Sequence, residues 1–364
     1  LQKKKIKIAI VAYNLEVGGL TQTTITLFNL LSEREEFKVE LLLLDYSEDT
    51  NSNKWYRSFN DKSNKGYFFR KISKYIRFKK YLKTTRFDFI IDQRYRLNAV
   101  SEIFFSKYLY TKEKIIYNVH SSKLSTYLPK STLLSNFLYK DAYKVVCCSQ
   151  GIKALVEKKY GLSNVICVYN SVELNHSKEE ESITLDYNYI VAVGRVEPLK
   201  QYDKLIRAYA NSKLPENDIK LVLVGDGSQL NVCKSISEKL NLSEYVIFIG
   251  FVSNPNFYMT NAKFLVLCSK YEGFPMVLLE SLACSTPVVS FDLIAGPNEV
   301  IEQNINGILV ENQNFEGLTK AMNKMIENAE LIDKCKKQAR NSIERFSNNK
   351  IQKAWFKILK IDEQ

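Results

Sequence analysis

The sequence predicts an α/β chain built from two doubly wound parallel-sheet domains, and three observations predict it. With 364 residues the chain exceeds what one ordinary core organises, so about two domains are expected. Apolar, β-branched runs of strand length alternate with helix-like stretches, as buried parallel strands in βα units do. The alternation then restarts after "NSVELNHSKEEESITLDY" (170–187), which is polar, acidic and poorly periodic and reads as a linker.

In the first half, "KIKIAIVAYNL" is the opening strand and "LTQTTITLFNLLSER" the helix after it. Basic residues ahead of that apolar run suggest a signal peptide. The run is short, however, and polar Tyr13, Asn14 and Glu16 follow it without a small-residue cleavage site, so a strand is expected. "KVELLLLDY", "FDFIIDQ", "KIIYNVH" and "YKVVCCS" continue the sheet. In the second half, "NYIVAVGRV", "IKLVLVGDGS", "YVIFIGFVS", "AKFLVLCSK", "PVVSFD" and "NGILVEN" supply strands, with helices between them. The expected domains are 1–175 and 188–345. An amphipathic helix over 346–364, started by Ser347 or Asn348, returns to the first domain to cover Trp355 and Phe356.

Composition narrows the class. Hydrophobic residues at 45% and charged residues at 25% describe a globular chain, and no apolar run approaches the roughly 18 residues of a membrane span. The seven cysteines are odd in number, irregularly spaced and mostly in apolar runs, which fits reduced core thiols in a cytosolic protein. With only two histidines and no Cys/His ligand spacing, neither a metal nor a cofactor is expected. The net charge of +12 is unevenly held: about +15 falls in 1–170 and about −3 in 171–364.

"YEGFPMVLLESLACSTPVVS" (271–290) sets two glutamates around a run that should be core. A strand ends at Lys270, residues 271–274 turn, and Pro275 is a favoured first residue for a helix reaching about Cys284. The unpaired amides at that helix start attract an anion, and the turn lies at strand carboxyl ends, where open α/β sheets bind ligands. Taken singly, Glu272 could complement the helix dipole and Glu280 could be a solvated helix residue. Two carboxylates at this spacing around "GFP" favour a binding role.

"EGFPMVLLE" resembles the glutamate–seven residues–glutamate signature of retaining, nucleotide-sugar-dependent glycosyltransferases of family 4. The resemblance covers most of the chain and is strongest over 188–325. It implies the GT-B fold, two Rossmann-like domains facing an interdomain cleft. It also implies that Glu280 binds the donor ribose and that Glu272 lies near the donor sugar. Gly273, Phe274, Pro275, Met276 and Val277 would run along the donor. "VAVGRVEPLKQYDKLIRAYA" is similar to the family's strand–Gly-Arg–loop–Lys–helix element. Departure of a nucleoside diphosphate builds negative charge, which Arg195 and Lys200 can stabilise without a metal. The family usually has Gly after this Lys, where Gln201 stands here.

Gly18 and Gly19 lie between the first strand and its helix and resemble the family loop that faces the diphosphate and acceptor. Many members carry a Glu next, where this chain has Thr21 and Gln22. His120 ends "KIIYNVH", where several members have a histidine contacting the donor sugar. His176, in the linker stretch, is assigned nothing. The Phe251–Val252 backbone is expected beside the nucleotide base. Gly225, Gly227, Gly296, Pro297, Asn306 and Gly307 read as structural. Ser285 occupies a left-handed helix cap that would prefer Gly.

From Lys62 to Phe87 there are ten basic residues and no acid. Phe69, Ile72, Ile76 and Leu82 can line one face of a helix here, packed on the first domain with its basic face solvated. Nucleic acid is set aside because no recognition motif accompanies the charge. A cationic face formed by Arg70, Lys71, Lys74, Arg77, Lys79, Lys80 and Lys83 suits an anionic membrane surface, with Phe68, Tyr75, Phe78 and Tyr81 adding interfacial contact. The expected protein is therefore a retaining hexosyltransferase of bacterial cell-envelope polysaccharide biosynthesis. It would be cytoplasmic and peripheral on the inner membrane face. It would move sugar from a UDP-type donor to a lipid-linked glycan, lipopolysaccharide or capsule precursor, domain closure excluding water. A soluble small-molecule or protein acceptor, or a non-catalytic nucleotide-sugar-binding protein, are the alternatives.

Overall fold

The computed structural model describes residues 4–16, 18–45, 55–59, 67–110, 113–174 and 185–359, with the side chains of Tyr67 and Phe68 excepted. Lys62, Lys65, His176 and most of the expected linker lie outside the described residues. The chain divides into two compact units: unit 1 is 1–171 with 348–364, and unit 2 is 172–347.

Unit 1 opens with β1 (Ile6–Ala12), α1 (Gly19–Ser32), β2 (Phe37–Leu43), β3 (Tyr56–Ser58) and α2 (Tyr67–Thr85). It continues with β4 (Phe89–Asp92), α3 (Ala99–Phe104) and a π-helical turn (Phe105–Leu109). Then come β5 (Lys114–Val119), α4 (Thr132–Tyr139), β6 (Lys144–Cys147), α5 (Gln150–Tyr160) and β7 (Val165–Cys167). The seven strands pair in the order β3-β2-β1-β4-β5-β6-β7, all parallel. Every residue of β4 is buried, as expected of a strand covered on both faces. Side-chain caps start the helices: Asn98, Ser131 and Ser149 each accept an amide hydrogen from the first turn, and Gly161 ends α5 in the left-handed region at φ 65°.

Unit 2 repeats the scheme with β8 (Tyr189–Val193), α6 (Tyr202–Ala210), β9 (Lys220–Val224), α7 (Leu230–Lys239) and β10 (Val246–Gly250). There follow α8 (Asn256–Thr260), β11 (Leu265–Leu267), α9 (Met276–Ala283), β12 (Val288–Phe291), α10 (Pro297–Val300) and β13 (Gly307–Val310). Helices α11 (Phe315–Glu327) and α12 (Ala329–Ser342) close the unit. The order β10-β9-β8-β11-β12-β13 reverses direction between β8 and β11, the arrangement that places ligands at the carboxyl ends of those two strands.

The chain then returns to unit 1 through α13 (Asn348–Leu359). Ile351, Trp355 and Leu359 join the core of unit 1 with Leu27, Leu31 and Phe37. The Tyr143 hydroxyl donates to the Ile358 carbonyl at 2.9 Å, and Gln352 Nε2 donates to the Leu30 carbonyl at 2.7 Å.

Helix α2 keeps only Leu82 of the expected inward face. Phe78 and Leu82 are buried, while Phe69, Ile72 and Ile76 are exposed. Lys74 is also buried, paired with Asp45, and so leaves the expected cationic face. Arg77 Nη2 donates to the Phe59 carbonyl at 2.9 Å, and Lys79 sits over the Tyr108 ring. Of the aromatics expected at the membrane, Phe78 is core, Tyr81 donates to Glu40, and Tyr75 packs on Phe104 and Phe105. The cause is aromatic packing. The ring cluster of Phe59, Phe78, Phe105 and Tyr110 claims the inward face, leaving the smaller 72/76 stripe outside.

Beneath α2 and α3 lies a buried ionic cluster. Arg94 pairs with Asp92 at 2.7 Å and with Glu102 at 3.2 Å, and all three are essentially inaccessible. Arg96 donates to the carbonyls of Tyr127 at 2.7 Å and Asn118 at 2.6 Å. Removing one partner strands an uncompensated buried charge. Arg94→Met is therefore expected to destabilise unit 1 by about 3–5 kcal/mol. Both tryptophans, Trp55 and Trp355, belong to unit 1, so fluorescence-detected urea unfolding reads that loss directly.

Candidate active site

The site of unit 2 is built where β8, β9 and β11 end. β8 leads into Gly194 and exposed Arg195, and β9 into Gly225. The Gly194 amide donates to the Val224 carbonyl at 2.9 Å, and the Gly225 amide to Gly250 at 2.8 Å. A Cβ on Gly225 would lie 2.0 Å from the Gly194 carbonyl oxygen, and its φ is +144°, so only glycine lets these loops meet. Glu197 ties the same loop down by accepting from the Ser228 amide at 3.2 Å and hydroxyl at 2.7 Å, which pulls its carboxyl below the usual range.

Lys200 reaches across to the loop after β11. Its Nζ lies 2.7 Å from Glu272 Oε1, and both side chains are mostly buried. The two loops are also joined along their backbones, Lys270 amide to Leu199 carbonyl at 2.9 Å. Gln201 takes the left-handed conformation, φ 54°, that the usual Gly would hold. Its amide compensates by donating to the Cys268 carbonyl at 2.8 Å and accepting from Lys204 at 3.0 Å. The departure from the family pattern therefore preserves the loop shape. Ser285 likewise sits at φ 61°, in the expected left-handed cap of α9.

The 271–276 turn is held by packing. Phe274 is buried with its ring edge-on to Phe346, 5.3 Å between centroids. Gly296, at φ +96°, abuts the turn, where a Cβ would come within 2.4 Å of Pro275 Cδ. Helix α9 begins one residue later than the sequence suggests. Pro275 is its N-cap, in an extended conformation, and no side chain caps the helix. The Leu278 amide turns back to the Pro275 carbonyl at 3.1 Å, which leaves the Met276 and Val277 amides as the candidate donors for an anion. Glu280 sits on α9, and among the described residues no hydrogen bond reaches its carboxylate. Desolvation raises its pKa, partly opposed by the Lys200 charge. Val252 is half-buried just after β10, beside exposed Phe251. Unit 2 thus brings Lys200 and Glu272 together beside the 273–277 turn, with Arg195 on the loop that leaves β8 and Glu280 on α9.

Gly18, Gly19 and His120 belong to unit 1. Gly18 precedes α1 and Gly19 opens it. Among the described residues nothing lies within 4 Å of a Cβ on either, so no close approach is seen there. His120 follows β5 and lines a pocket with Gln93, Asn118, Thr23 and Ser171. Its Nε2 meets Gln93 Oε1, which places the proton on Nε2 and leaves Nδ1 as a buried acceptor without a partner. Burial and the nearby Arg96 charge push its pKa down to about 3, so the ring is neutral at physiological pH. Sequence reasoning missed Gln93, and also the buried Tyr202, whose unpartnered hydroxyl stands beside Gly194 and Lys200. The available signal for Gln93 was "DQRYR", a polar run placed directly after an apolar strand. Among the described residues no cluster of His, Cys, Asp and Glu could hold a metal ion.

The raised Glu280 pKa has a stability consequence. Between the unfolded and folded values the native chain binds the extra proton, so stability falls as pH rises through that window. Glu280 therefore costs stability at pH 7, and that cost is relieved as pH falls through the raised pKa. Glu280→Gln is expected to raise the unfolding temperature of the ligand-free protein at pH 7 by about 1–3 °C in scanning calorimetry, with less effect at pH 4.5.

Residues 175–342 match the family model described as glycosyl transferases group 1. One curated relative is the Campylobacter jejuni N-acetylgalactosamine-N,N'-diacetylbacillosaminyl-diphospho-undecaprenol 4-alpha-N-acetylgalactosaminyltransferase. It is 34% identical over 230 residues, 62% of this chain and 62% of that protein. The lipopolysaccharide 1,6-galactosyltransferase of Escherichia coli K12 is 30% identical over 188 residues, 49% of this chain and 51% of that protein. The chain spans about three-fifths of the length of the first curated relatives it matches. Among solved structures, Staphylococcus aureus TarM in complex with UDP superposes with a TM-score of 0.78 at 14% identity, covering 98% of this chain and 100% of that one. Anabaena HepE with UDP gives 0.77 at 17% identity, covering 97% and 99%. At such identities the likeness establishes the fold, which is GT-B. The match to the glycosyl transferases group 1 model thus covers nearly the whole of unit 2.

Proposed function

We propose that this protein is a retaining glycosyltransferase. It moves a sugar from a nucleoside-diphosphate sugar of the UDP class to a hydroxyl of a lipid-linked glycan or a lipopolysaccharide or capsule precursor. The observation that carries the reading is the Lys200–Glu272 pair beside the uncapped start of α9, with the unpartnered Glu280 carboxylate on the same helix. A cation, the first amides of α9 and two carboxylates match a donor that is anionic at its diphosphate and hydroxyl-rich at both ends. Relatives named for undecaprenol-linked and lipopolysaccharide substrates support the acceptor class. Neighbours solved with UDP support the donor class.

In this mechanism Lys200, Arg195 and the α9 amides take up the charge that develops on the leaving diphosphate. They can do so without a metal. Glu280 accepts hydrogen bonds from the ribose, and ligand contact there recovers the desolvation its carboxylate suffers in the empty site. Glu272 holds Lys200 in place and lies against the donor sugar. No side chain of unit 2 reads as a covalent nucleophile. The acceptor therefore attacks on the face the diphosphate leaves, and the departing oxygen takes the acceptor proton. Neutral His120 serves as a hydrogen-bonding group rather than a general acid. The exposed cations of α2 support a peripheral position on the anionic cytoplasmic face of the membrane.

A thermal-shift panel of nucleotide sugars tests the donor. The right one at 100 times its dissociation constant stabilises by about 2.7 kcal/mol. Glu272→Gln removes the charge that orients Lys200 and is expected to lower transfer about 100-fold or more with the fold intact. Full activity in that variant would refute the site assignment. Inversion of the anomeric centre, read by proton NMR of the product, would refute retention.

A further inference from the structure

Phe78 and Tyr75 pack inward and leave the cations of α2 to carry the membrane reading, but the structure turns another apolar surface outward. Ile72 and Ile76 are exposed on α2 at 41% and 62%. On the neighbouring α3, Val100 is 75% exposed and Ile103 39%; on α4, Leu133 is 86% exposed and Phe137 53%. Each pair is three or four residues apart, so each helix turns one short apolar stripe outward. The three helices are linked through side chains rather than scattered. Tyr75 of α2 packs on Phe104 of α3 at 5.4 Å, and Lys79 of α2 lies over Tyr108 of the π-helical turn at 3.0 Å. Lys107 of that turn lies over Phe137 of α4 at 4.4 Å.

Charge settles what covers this face. Helices α2, α3 and α4 with the π-helical turn carry eight basic residues, among them exposed Arg70, Lys71, Lys80, Lys83 and Lys107. The one acid on these elements, Glu102, is buried against Arg94. A second copy of the chain would set this cationic face against another of equal sign. An anionic lipid surface offers both complements, headgroup charge for the lysines and acyl boundary for the apolar stripes. Among the described residues no helix is long and apolar enough to cross a membrane, so the contact is interfacial.

We infer that unit 1 docks on anionic bilayers by inserting the side chains of α2, α3 and α4, Val100, Ile103, Leu133 and Phe137 foremost, into the headgroup–acyl boundary, with the surrounding lysines bound to lipid phosphates. This deepens the membrane reading given under Proposed function and depends on it. Attraction through α2 is long-ranged and screened by salt; insertion through α3 and α4 is short-ranged and is not.

The test is flotation of the full chain with vesicles of phosphatidylcholine containing 30 mol% phosphatidylglycerol, at 50 mM and 500 mM salt. The wild type is expected to float at both salt concentrations, and Lys80→Glu/Lys83→Glu to lose binding mainly at 50 mM. Val100→Ser/Ile103→Ser, both exposed changes, is expected to lose the salt-resistant fraction about tenfold. Val100→Trp in the otherwise intact protein supplies a second readout, fluorescence quenched by brominated lipid beyond the background of Trp55 and Trp355. Binding that high salt abolishes, with Val100→Ser/Ile103→Ser unchanged and no added quenching, would overturn insertion and leave electrostatic adsorption standing. No flotation at either salt would overturn the membrane reading itself. Self-association of the wild type that these apolar substitutions abolish, without flotation, would assign the face to a second copy and also overturn the proposal.

Discussion

All pairing between the strands of both sheets is parallel, and this constraint organises the molecule. A parallel neighbour cannot be reached by a tight turn, so each strand is followed by a crossover that returns the chain to the starting edge. Every strand therefore ends on the same side, and the loops leaving those ends are brought together whatever their separation in sequence. Lys200 and Glu272 are 72 residues apart yet share a hydrogen bond because β8 and β11 are neighbours. Sequence distance carries little information about this site; strand order carries most of it.

The fold was legible where buried strands are long enough to show their composition. Runs such as "KIKIAIVA" and "IKLVLV" announce themselves, and both became strands. The three-residue edge strands β3 and β7 went unread, since so short a run has no pattern to recognise. The glutamates and Lys200 were legible because the spacing around "GFP" and the strand–Gly-Arg–loop–Lys pattern resemble known motifs. The support beneath them was not: the Gly225 approach to Gly194, the Gln201 brace and the Gly296 contact with Pro275 are tertiary facts between distant residues. Helix α2 failed in the other direction. Its stripe of Phe69, Ile72 and Ile76 looks like a core face by spacing alone, but the aromatic face around Phe78 fits the domain better and won the inward position.

Left-handed backbone at non-glycine residues shows how family pattern and physical need separate. Gln201 and Ser285 both stand where glycine is usual, and both keep the conformation glycine would hold. At Gln201 two side-chain hydrogen bonds offset the strain. The backbone shape at these corners is what the site requires, and the residue that supplies it can differ.

The return of α13 to unit 1 has a consequence for how the protein is made. Synthesis on the ribosome delivers residues in order, and domains fold as they emerge. Unit 1 emerges first, yet Ile351, Trp355 and Leu359 complete its core and are separated from β7 by the whole of unit 2. At roughly 5–20 residues per second, the nascent first unit waits on the order of 10–35 s with that patch of its core uncovered. Unit 2 ends at Ser347, directly before α13, so the two halves reach completion almost together. Throughout that interval the nascent chain presents exposed apolar surface to chaperones from the half nearer its beginning.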